Sequence, residues 1–172
     1  MTIIHKTGDL LETDCDVIAH GCNCFHTMGA GVAKALAQKW PQVLAADKES
    51  SYGDLTKLGT FTCAELYESR PWPKRSPRRI FNLYTQFGYG VGCHLDYDAL
   101  RRALLAMKEA TWVIARRGDD WTFANCPIAM SRTIAMPRID CGLAGGDWER
   151  VEPIIQSVFL DRDIVVYSLE GP

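Results

Sequence analysis

The sequence predicts an α/β protein in which helices cover both faces of a mainly parallel sheet. Short apolar runs typical of buried strands alternate along the chain with stretches of helical periodicity. Two of these runs lead directly into glycine-containing loops, and α/β sheets bind ligands where such loops diverge at the carboxyl ends of the strands. With 172 residues and no repeat, low-complexity segment or linker, the chain is expected to form one domain over residues 1–172.

The first half of the chain predicts four strands and one complete helix. A helix is expected at residues 32–40, where apolar or small side chains recur at helical spacing and Pro41 follows. Residues 42–57 are expected to hold a helix fragment and a loop. Residues 68–79, with three prolines and five basic side chains, are expected to form an exposed loop whose charge is solvated. The strands are expected at residues 2–5, 17–20, 60–67 and 79–84.

The second half predicts two helices and two strands. A polar break at residues 118–125 contains a Trp121 that is expected to be buried, and strands are expected at residues 133–136 and 164–169. One helix is expected at residues 98–117, with an apolar face formed by Leu100, Ala103, Leu104 and Met107. Asp147 is expected to cap the other, at residues 148–160, whose inward face comprises Val151, Ile154, Ile155 and Val158.

Residues 20–33 are the stretch most informative about function. They join a buried strand to a helix through a loop that contains Gly29 and Gly31. Glycine lets backbone N–H groups turn toward a bound group, and the start of a helix adds partial positive charge, so this loop suits a phosphate or diphosphate. An ordinary strand-to-helix turn is the alternative. A second glycine loop, at residues 137–146, is expected to meet the first and clamp a diphosphate from the other side.

Composition and cysteine content argue against several functional classes of protein. The net charge of −2 argues against a general nucleic-acid binder, and no apolar run approaches the roughly 20 residues that span a membrane. The N-terminus lacks the pattern of a signal peptide. An odd count of seven cysteines without scaffold spacing predicts reduced thiols and therefore a cytoplasmic location.

Two alternative chemistries involve the cysteines. A zinc site from His20, Cys22, Cys24 and His26 is disfavoured, because four ligands within seven residues cannot readily close a tetrahedron and no second cysteine pair has zinc spacing. We therefore expect no metal. Nucleophilic catalysis by Cys22, Cys24 or Cys141 is disfavoured because Arg138 is the only arginine close to these loops.

Four segments in this order carry a family resemblance, and together they span nearly the whole chain. They are Gly8-Asp9-Leu10, His20-Gly21-Cys22-Asn23, Met28-Gly29-Ala30-Gly31-Val32-Ala33 and Met136-Pro137-Arg138-Ile139-Asp140-Cys141-Gly142-Leu143-Ala144-Gly145. As a set they resemble the macrodomain, the ADP-ribose-binding module. The resemblance implies a three-layer α/β/α macrodomain with a mixed, mainly parallel central sheet. Within the family, the chain is most similar to yeast-type ADP-ribose-1''-phosphate phosphatases and to the related ADP-ribosyl-glutamate hydrolase branch.

The resemblance also implies roles for individual residues. Asp9, with the Leu10 backbone, would hold the adenine amino group, and the Asn23 amide would bond a hydroxyl of the distal ribose. The glycine loop would wrap the diphosphate, and Phe87 or Tyr89 would stack on or close over the sugar. The implied ligand-binding set is Gly8, Asp9, Leu10, Gly21, Cys22, Asn23, Met28, Gly29, Ala30, Gly31, Val32, Ala33, Ile139, Asp140, Cys141, Gly142, Leu143, Ala144 and Gly145.

Catalysis at the distal ribose needs a proton acceptor or donor, and His20, Asp140 and His26 are the candidates. For His20 and Asp140 the alternative is a purely structural hydrogen bond. The hydrolase branch carries a lysine where this chain has Thr85-Gln86 and an aspartate where it has Ala144, which argues against a covalent lysine mechanism. The histidine at position 20 favours the phosphatase branch.

The leading functional expectation is an enzyme that binds ADP-ribose and removes phosphate from ADP-ribose-1''-phosphate. One alternative is a hydrolase that removes ADP-ribose from protein or nucleic acid, and another is a reader that binds ADP-ribose without turnover. A nucleotide-binding regulatory domain with another ligand also stays open. No cofactor is expected, and a stand-alone monomer with no membrane association is expected.

Overall fold

A computed structural model gives the fold and describes residues 2–67, 77–116 and 133–169. Within these ranges strands and helices alternate as the hydrophobic periodicity predicts, which confirms the α/β class. The strands are β1 (Ile3–Thr7), β2 (Val17–Asn23), β3 (Phe61–Leu66), β4 (Arg78–Gln86), β5 (Thr133–Pro137) and β6 (Asp163–Ser168). The helices are α1 (Gly31–Lys39), α2 (Pro41–Lys48), α3 (Tyr97–Arg116) and α4 (Trp148–Val158).

The described strands form one six-stranded sheet in the order β1-β6-β5-β2-β4-β3. Neighbouring strands run parallel except for β3, which pairs antiparallel with β4. The sheet is therefore mixed and mainly parallel, as predicted. β2 lies between β5 and β4, so the loops that follow these three strands leave the same edge of the sheet. This is the position at which open α/β sheets bind ligands.

Two layers of helices cover the sheet. On one face α3 and α4 pack against it, and all four residues of the predicted α3 face are fully buried. The predicted α4 face is buried at Val151, Ile155 and Val158, whereas Ile154 is only partly buried. On the other face, α1 and α2 cover the sheet through Leu36 and Val43, which are also fully buried. Because both faces are covered, β2 is buried along almost its whole length, including the polar His20 and Asn23.

One sequence prediction is confirmed and one needs correction. Residues 41–48 form the helix expected within residues 42–57, with Pro41 in its first turn, where the missing N–H costs no hydrogen bond. The prediction that the basic residues of 68–79 are solvated was wrong for Arg78 and Arg79, which begin β4 and are 7% and 9% exposed. The Arg79 guanidinium pairs across the strands with Glu65 at 2.7 Å, and the Arg78 guanidinium donates to the Thr13 carbonyl. Residues 68–76 and 118–125, with Trp121, lie outside the described residues.

Two further observations concern the described ranges only. Their six cysteines are all free thiols. None of their helices combines the length and apolarity needed to cross a membrane.

Candidate functional site

A cavity of about 540 Å³ opens at the carboxyl ends of the central strands β2, β4 and β5. Its walls come from the end of β2 with the loop into α1, from the end of β4 with the loop before α3, and from the loop after β5. The two glycine loops predicted to meet do face each other across this cavity. Of the predicted site residues, those that line it are His20, Gly21, Cys22, Asn23, Gly29, Ala30, Gly31, Val32, Ala33, Asp140, Gly142, Leu143 and Ala144.

The other predicted site residues lie outside the lining of the cavity. They are Gly8, Asp9, Leu10, His26, Met28, Ile139, Cys141 and Gly145. The Asp9 carboxylate accepts a hydrogen bond from the Leu11 N–H at 2.9 Å and so caps a short 3₁₀ helix at Leu10–Glu12. This capping is the common local use of an aspartate at such a turn.

The loop between β2 and α1 is held by the amide of Asn23. Its carbonyl accepts from the Phe25 N–H at 2.8 Å, and its nitrogen donates to the Thr27 carbonyl at 2.9 Å. The loop ends at Gly31, whose φ of +55° suits glycine, and α1 begins there with no side chain capping its first turn. The first N–H groups of α1 are therefore available to an anion in the cavity.

His20 borders the cavity from the middle of the sheet and is 1% exposed. Its Nε2 lies 2.7 Å from the Asn82 Oδ1, and Asn82 in turn donates to the Val43 carbonyl. Burial lowers the pKa of His20, so the imidazole is neutral at physiological pH. A neutral ring with one nitrogen already bonded is a fixed element of the cavity wall.

Cys22 is not activated as a nucleophile. Burial raises the pKa of the Cys22 thiol well above its usual range, and the negative charge of Asp47 adds to this effect. A thiolate would therefore be rare at neutral pH.

Asp140 is the most unusual residue of the site. It has a φ of 56°, which is rare outside glycine, although aspartate tolerates it better than most residues. Its carboxylate lies against the Cα of Gly21, where even a Cβ would overlap it. Among the described residues, Asp140 Oδ2 has no hydrogen-bond partner. Burial raises the pKa of Asp140 to about 6, and the nearby Thr85 hydroxyl partly opposes this shift. The group is therefore mainly anionic at pH 7 and suited to accept a proton.

His26 belongs to a different polar cluster, beneath the loop. Its Nε2 lies 3.1 Å from the Ser50 Oγ and 4.0 Å from a carboxylate oxygen of Asp47. The same Asp47 oxygen accepts from the Tyr84 hydroxyl at 2.8 Å and lies 3.8 Å from the Lys57 Nζ. We call this set, His26, Asp47, Ser50, Lys57 and Tyr84, the Asp47 network; it supports the loop from below.

The structure adds lining residues that the sequence did not single out as site residues. They are Thr27, Gln86, Tyr89, Gly90, His94, Pro137 and Arg138. Tyr89 was considered as a group that could stack on the sugar, and it does reach the cavity. Phe87 instead packs on Phe25, with ring centroids 5.0 Å apart. Gln86, Gly90 and His94 belong to the glycine-rich segment 85–94, which has no regular periodicity, whereas Thr27, Pro137 and Arg138 belong to the two predicted glycine loops.

The suggested metal ligands His20 and His26 belong to different hydrogen-bonded groups. Across the described ranges, no three or more histidine, cysteine, aspartate or glutamate side chains gather into a group that could hold a metal ion. In the suggested ligand set, His20 bonds Asn82, and His26 lies in the Asp47 network.

The fold and the position of the cavity define an α/β ligand-binding domain of the macrodomain type. No protein-family model matches the chain. The macrodomain of Mycobacterium tuberculosis DarG superposes with a TM-score of 0.70 at 22% identity, over 96% of this chain and 97% of that one. The chain therefore has the macrodomain fold.

Three relatives are similar to the chain over most of its length. An uncharacterized 17.5 kDa protein of Enterobacteria phage T4 is 37% identical over 99% of this chain and 98% of its own length. A DNA ADP-ribosyl glycohydrolase of Mycobacterium bovis is 25% identical over 98% of this chain, which spans only 43% of that protein. An ADP-ribose 1''-phosphate phosphatase of Debaryomyces hansenii is 24% identical over 90% of this chain and 88% of its own length.

Proposed function

We propose that the protein binds conjugates of ADP-ribose in this cavity and hydrolyses the bond between the anomeric carbon of the distal ribose and its substituent. The observation that carries the proposal is Asp140. A buried carboxylate with one unpaired oxygen faces a cavity at the ligand-binding edge of a macrodomain sheet. Two relatives named for hydrolysis of ADP-ribose derivatives support the reaction class.

Binding of the diphosphate follows from the two glycine loops. The uncapped first turn of α1 offers N–H groups from Gly31 onward, and the facing loop supplies Gly142 and Leu143. We assign Asn23 to shaping this loop, because both ends of its amide are already bonded within it. Asp9 lies outside the lining of the cavity, and one oxygen of its carboxylate accepts from the Leu11 N–H.

Asp140 then acts as the base of the reaction. Its carboxylate accepts a proton from a water whose oxygen forms a bond to the anomeric carbon, while the bond to the substituent breaks and the departing group takes up a proton. A carboxylate beside the sugar also stabilises positive charge that develops at the anomeric carbon. His20, which is neutral and held by Asn82, positions the ribose rather than moving a proton.

Hydrolysis of ADP-ribose-1''-phosphate is the second candidate, favoured by the histidine that borders the cavity at position 20. Phosphoryl transfer is stabilised chiefly by positive charge around the transferred group. Arg138 is the only lysine or arginine among the described residues that line the cavity. This charge balance favours cleavage of an ADP-ribosyl linkage over removal of a phosphate.

The test separates binding from turnover. ADP-ribose is titrated calorimetrically, and release of ADP-ribose is followed by phosphorus NMR with ADP-ribosylated oligonucleotide, ADP-ribosylated peptide and ADP-ribose-1''-phosphate. We expect binding of ADP-ribose and turnover of at least one conjugate. Asp140→Asn should lower kcat by about 10²–10³-fold with ADP-ribose affinity retained. Asp161→Asn, on a surface carboxylate paired with Lys108, is the matched control.

Each contrary result has a distinct meaning. Binding without turnover of any conjugate would indicate a reader. Turnover that survives Asp140→Asn unchanged would remove Asp140 as the base. An absence of binding would refute the proposal as a whole.

A further inference from the structure

We propose that Asn82, which lies outside the lining of the cavity, is a positioning residue that fixes which nitrogen of His20 carries the proton. The cavity wall formed by His20 and Cys22 then accepts a hydrogen bond from a hydroxyl of the distal ribose and offers no proton to an anion. The proposal rests on the proposed function and specifies which part of the ligand this wall binds.

His20 and Asn82 form a buried pair on neighbouring strands. They lie opposite each other in the register of β2 and β4, and they are 1% and 0% exposed. The distance between His20 Nε2 and Asn82 Oδ1 is 2.7 Å. Because neither side chain reaches bulk solvent, the groups around the pair decide which atom donates and which accepts.

The orientation of the Asn82 amide is fixed by a backbone carbonyl. The amide nitrogen lies 2.9 Å from the Val43 carbonyl oxygen and 3.1 Å from the Thr62 Oγ1. A carbonyl oxygen can only accept, so the nitrogen of the amide must face Val43 and its oxygen must face His20. The amide oxygen can also only accept. His20 Nε2 therefore carries a proton and donates it to Asn82.

The hydrogen bonds beyond Asn82 agree with this orientation. The Tyr84 hydroxyl donates to the Asp47 carboxylate at 2.8 Å and lies 3.2 Å from the Thr62 Oγ1. Since the proton of Tyr84 goes to Asp47, the Thr62 hydroxyl donates to Tyr84 and accepts from Asn82. Each bond in this buried series thus has one donor and one acceptor, which holds the amide in a single orientation.

The second nitrogen of His20 carries a lone pair. Burial is the largest influence on the pKa of His20 and lowers it. Asn82, the backbone of Gly21 and the charge of Asp47 act in the opposite direction without outweighing burial. The ring is therefore neutral, and a neutral imidazole with a proton on Nε2 has none on Nδ1.

The Cys22 thiol has this lone pair as its acceptor. Its Sγ lies 3.7 Å from His20 Nδ1 and 3.8 Å from His20 Nε2. Because Nε2 is itself a donor, only Nδ1 can accept from the thiol, which burial keeps protonated.

The two side chains border the cavity with no proton free for a ligand. A ribose hydroxyl can displace the thiol, a weak donor, and donate to Nδ1 in its place. A phosphate oxygen, which can only accept, finds no donor on His20 or Cys22. The histidine at position 20 thus suits a sugar hydroxyl better than a phosphate.

The first experiment measures the tautomer on the free protein by nitrogen NMR with isotopically labelled histidine. Long-range proton–nitrogen correlations distinguish protonated from unprotonated ring nitrogens. The chain has four histidines, and the spectrum of His20→Gln identifies the signals of His20. We expect a protonated Nε2 and an unprotonated Nδ1 that stay unchanged from about pH 5 to pH 8. A proton on Nδ1 at neutral pH would overturn the proposal.

The second experiment reverses the character of the wall. Asn82→Asp places a carboxylate against His20 Nε2 and raises the pKa of the imidazole, so Nδ1 gains a proton. The Kd of ADP-ribose divided by the Kd of ADP-ribose-1''-phosphate should rise by about fivefold at about pH 6, and by less at about pH 8. A ratio that stays constant while the NMR spectrum shows a protonated His20 would overturn the proposal.

Thr62→Val is the matched control. It removes one partner of the Asn82 amide but leaves the Val43 carbonyl to orient it, so the tautomer and the Kd ratio should match those of the wild type. A change in Thr62→Val as large as that in Asn82→Asp would assign the effect to a loosened core and overturn the role of Asn82.

Two substitutions of His20 test the wall without changing Asn82. Glutamine can donate to Asn82 through its nitrogen and present its oxygen as an acceptor, whereas leucine can do neither. His20→Gln should therefore bind ADP-ribose about tenfold more tightly than His20→Leu. Equal affinities of the two variants would overturn the proposal, even if Asn82→Asp does not fold.

The role of Asn82 and the proposed function fail differently. A wild type that turns over no conjugate would refute the hydrolase proposal, while the NMR spectra and the Kd values would still judge Asn82. A His20 ring protonated on Nδ1 would overturn the role of Asn82 even in a protein that turns over a conjugate.

Discussion

Two buried carboxylates of this molecule, Asp47 and Asp140, differ in how many partners compensate their charge. Asp47 is 1% exposed, accepts from the Tyr84 hydroxyl and lies within 4.0 Å of both Lys57 and His26. Asp140 is held against Gly21 with one oxygen unpaired among the described residues and with its pKa raised to about 6. Burial of a charge is costly unless partners compensate for it. Asp47 therefore stabilises the fold, whereas Asp140 is buried at a cost to stability that its proposed role as a base would explain.

The largest effect is expected at the compensated carboxylate. Asp47→Leu should destabilise the protein by about 3–5 kcal/mol, because it leaves the buried Lys57 without its partner. Urea unfolding measures this loss. Asp47→Leu combined with Lys57→Met should recover much of it. A loss that persists in full in the double variant would show that the pair itself is not the cause.

Substitution of Asp140, unlike that of Asp47, is expected to stabilise the protein. Because its folded pKa of about 6 exceeds its usual value of 3.8, the folded state holds the proton more tightly, and stability falls as pH rises through this window. Asp140→Asn should therefore be more stable than wild type by up to about 3 kcal/mol at pH 8, with the difference vanishing below pH 4. Urea unfolding across pH measures the difference. A pH-independent gain would contradict this origin.

An intermediate loss of stability is expected when Gly21, which contacts the Asp140 carboxylate, is substituted. Gly21→Ala should cost about 1–3 kcal/mol of stability, because the added methyl group overlaps the carboxylate. Asp140→Gly removes the obstacle, so the two changes should be strongly coupled in a double-mutant cycle. Additive effects would mean that the backbone around Gly21 relaxes instead.

The smallest effect tests one bond of the Asp47 network. Tyr84→Phe removes the hydroxyl that donates to Asp47 at 2.8 Å and also contacts Ser50 at 2.9 Å. A loss of about 1 kcal/mol is expected, since Lys57 still compensates the charge. Thermal unfolding measures the loss, and ADP-ribose affinity should stay unchanged.

The sequence predicted the fold well where the signal is local. Apolar runs located the strands, and the α3 face from Leu100 to Met107 is buried as its spacing requires. The prediction was weaker where tertiary context decides. The burial of Arg78 and Arg79 was missed because their partners, Thr13 and Glu65, belong to other segments of the chain.

The residues of the candidate site also differ in whether local sequence or tertiary contacts determine their position. Its two glycine loops were predicted from contiguous motifs, and much of each lines the cavity. The contribution of Gln86 and His94 depends on a bridge and loop contacts formed only on folding. No periodicity or spacing in a single sequence reports such contacts. The unpaired state of Asp140 Oδ2 is likewise a property of packing and not of the residue type.

The strand order carries a consequence for how the molecule forms. β2 pairs directly with β5, with Val17 opposite Ile134, and β1 pairs with β6, with Ile3 opposite Ile164. Contacts between such distant parts of the chain slow folding, because the entropy cost of closing long loops comes before the strand pairs stabilise the structure. During synthesis β2 therefore waits, with one edge open, until β5 leaves the ribosome. The loop that carries Asp140 follows β5, and β6 follows that loop, so the cavity is completed only when the last strands have joined the sheet.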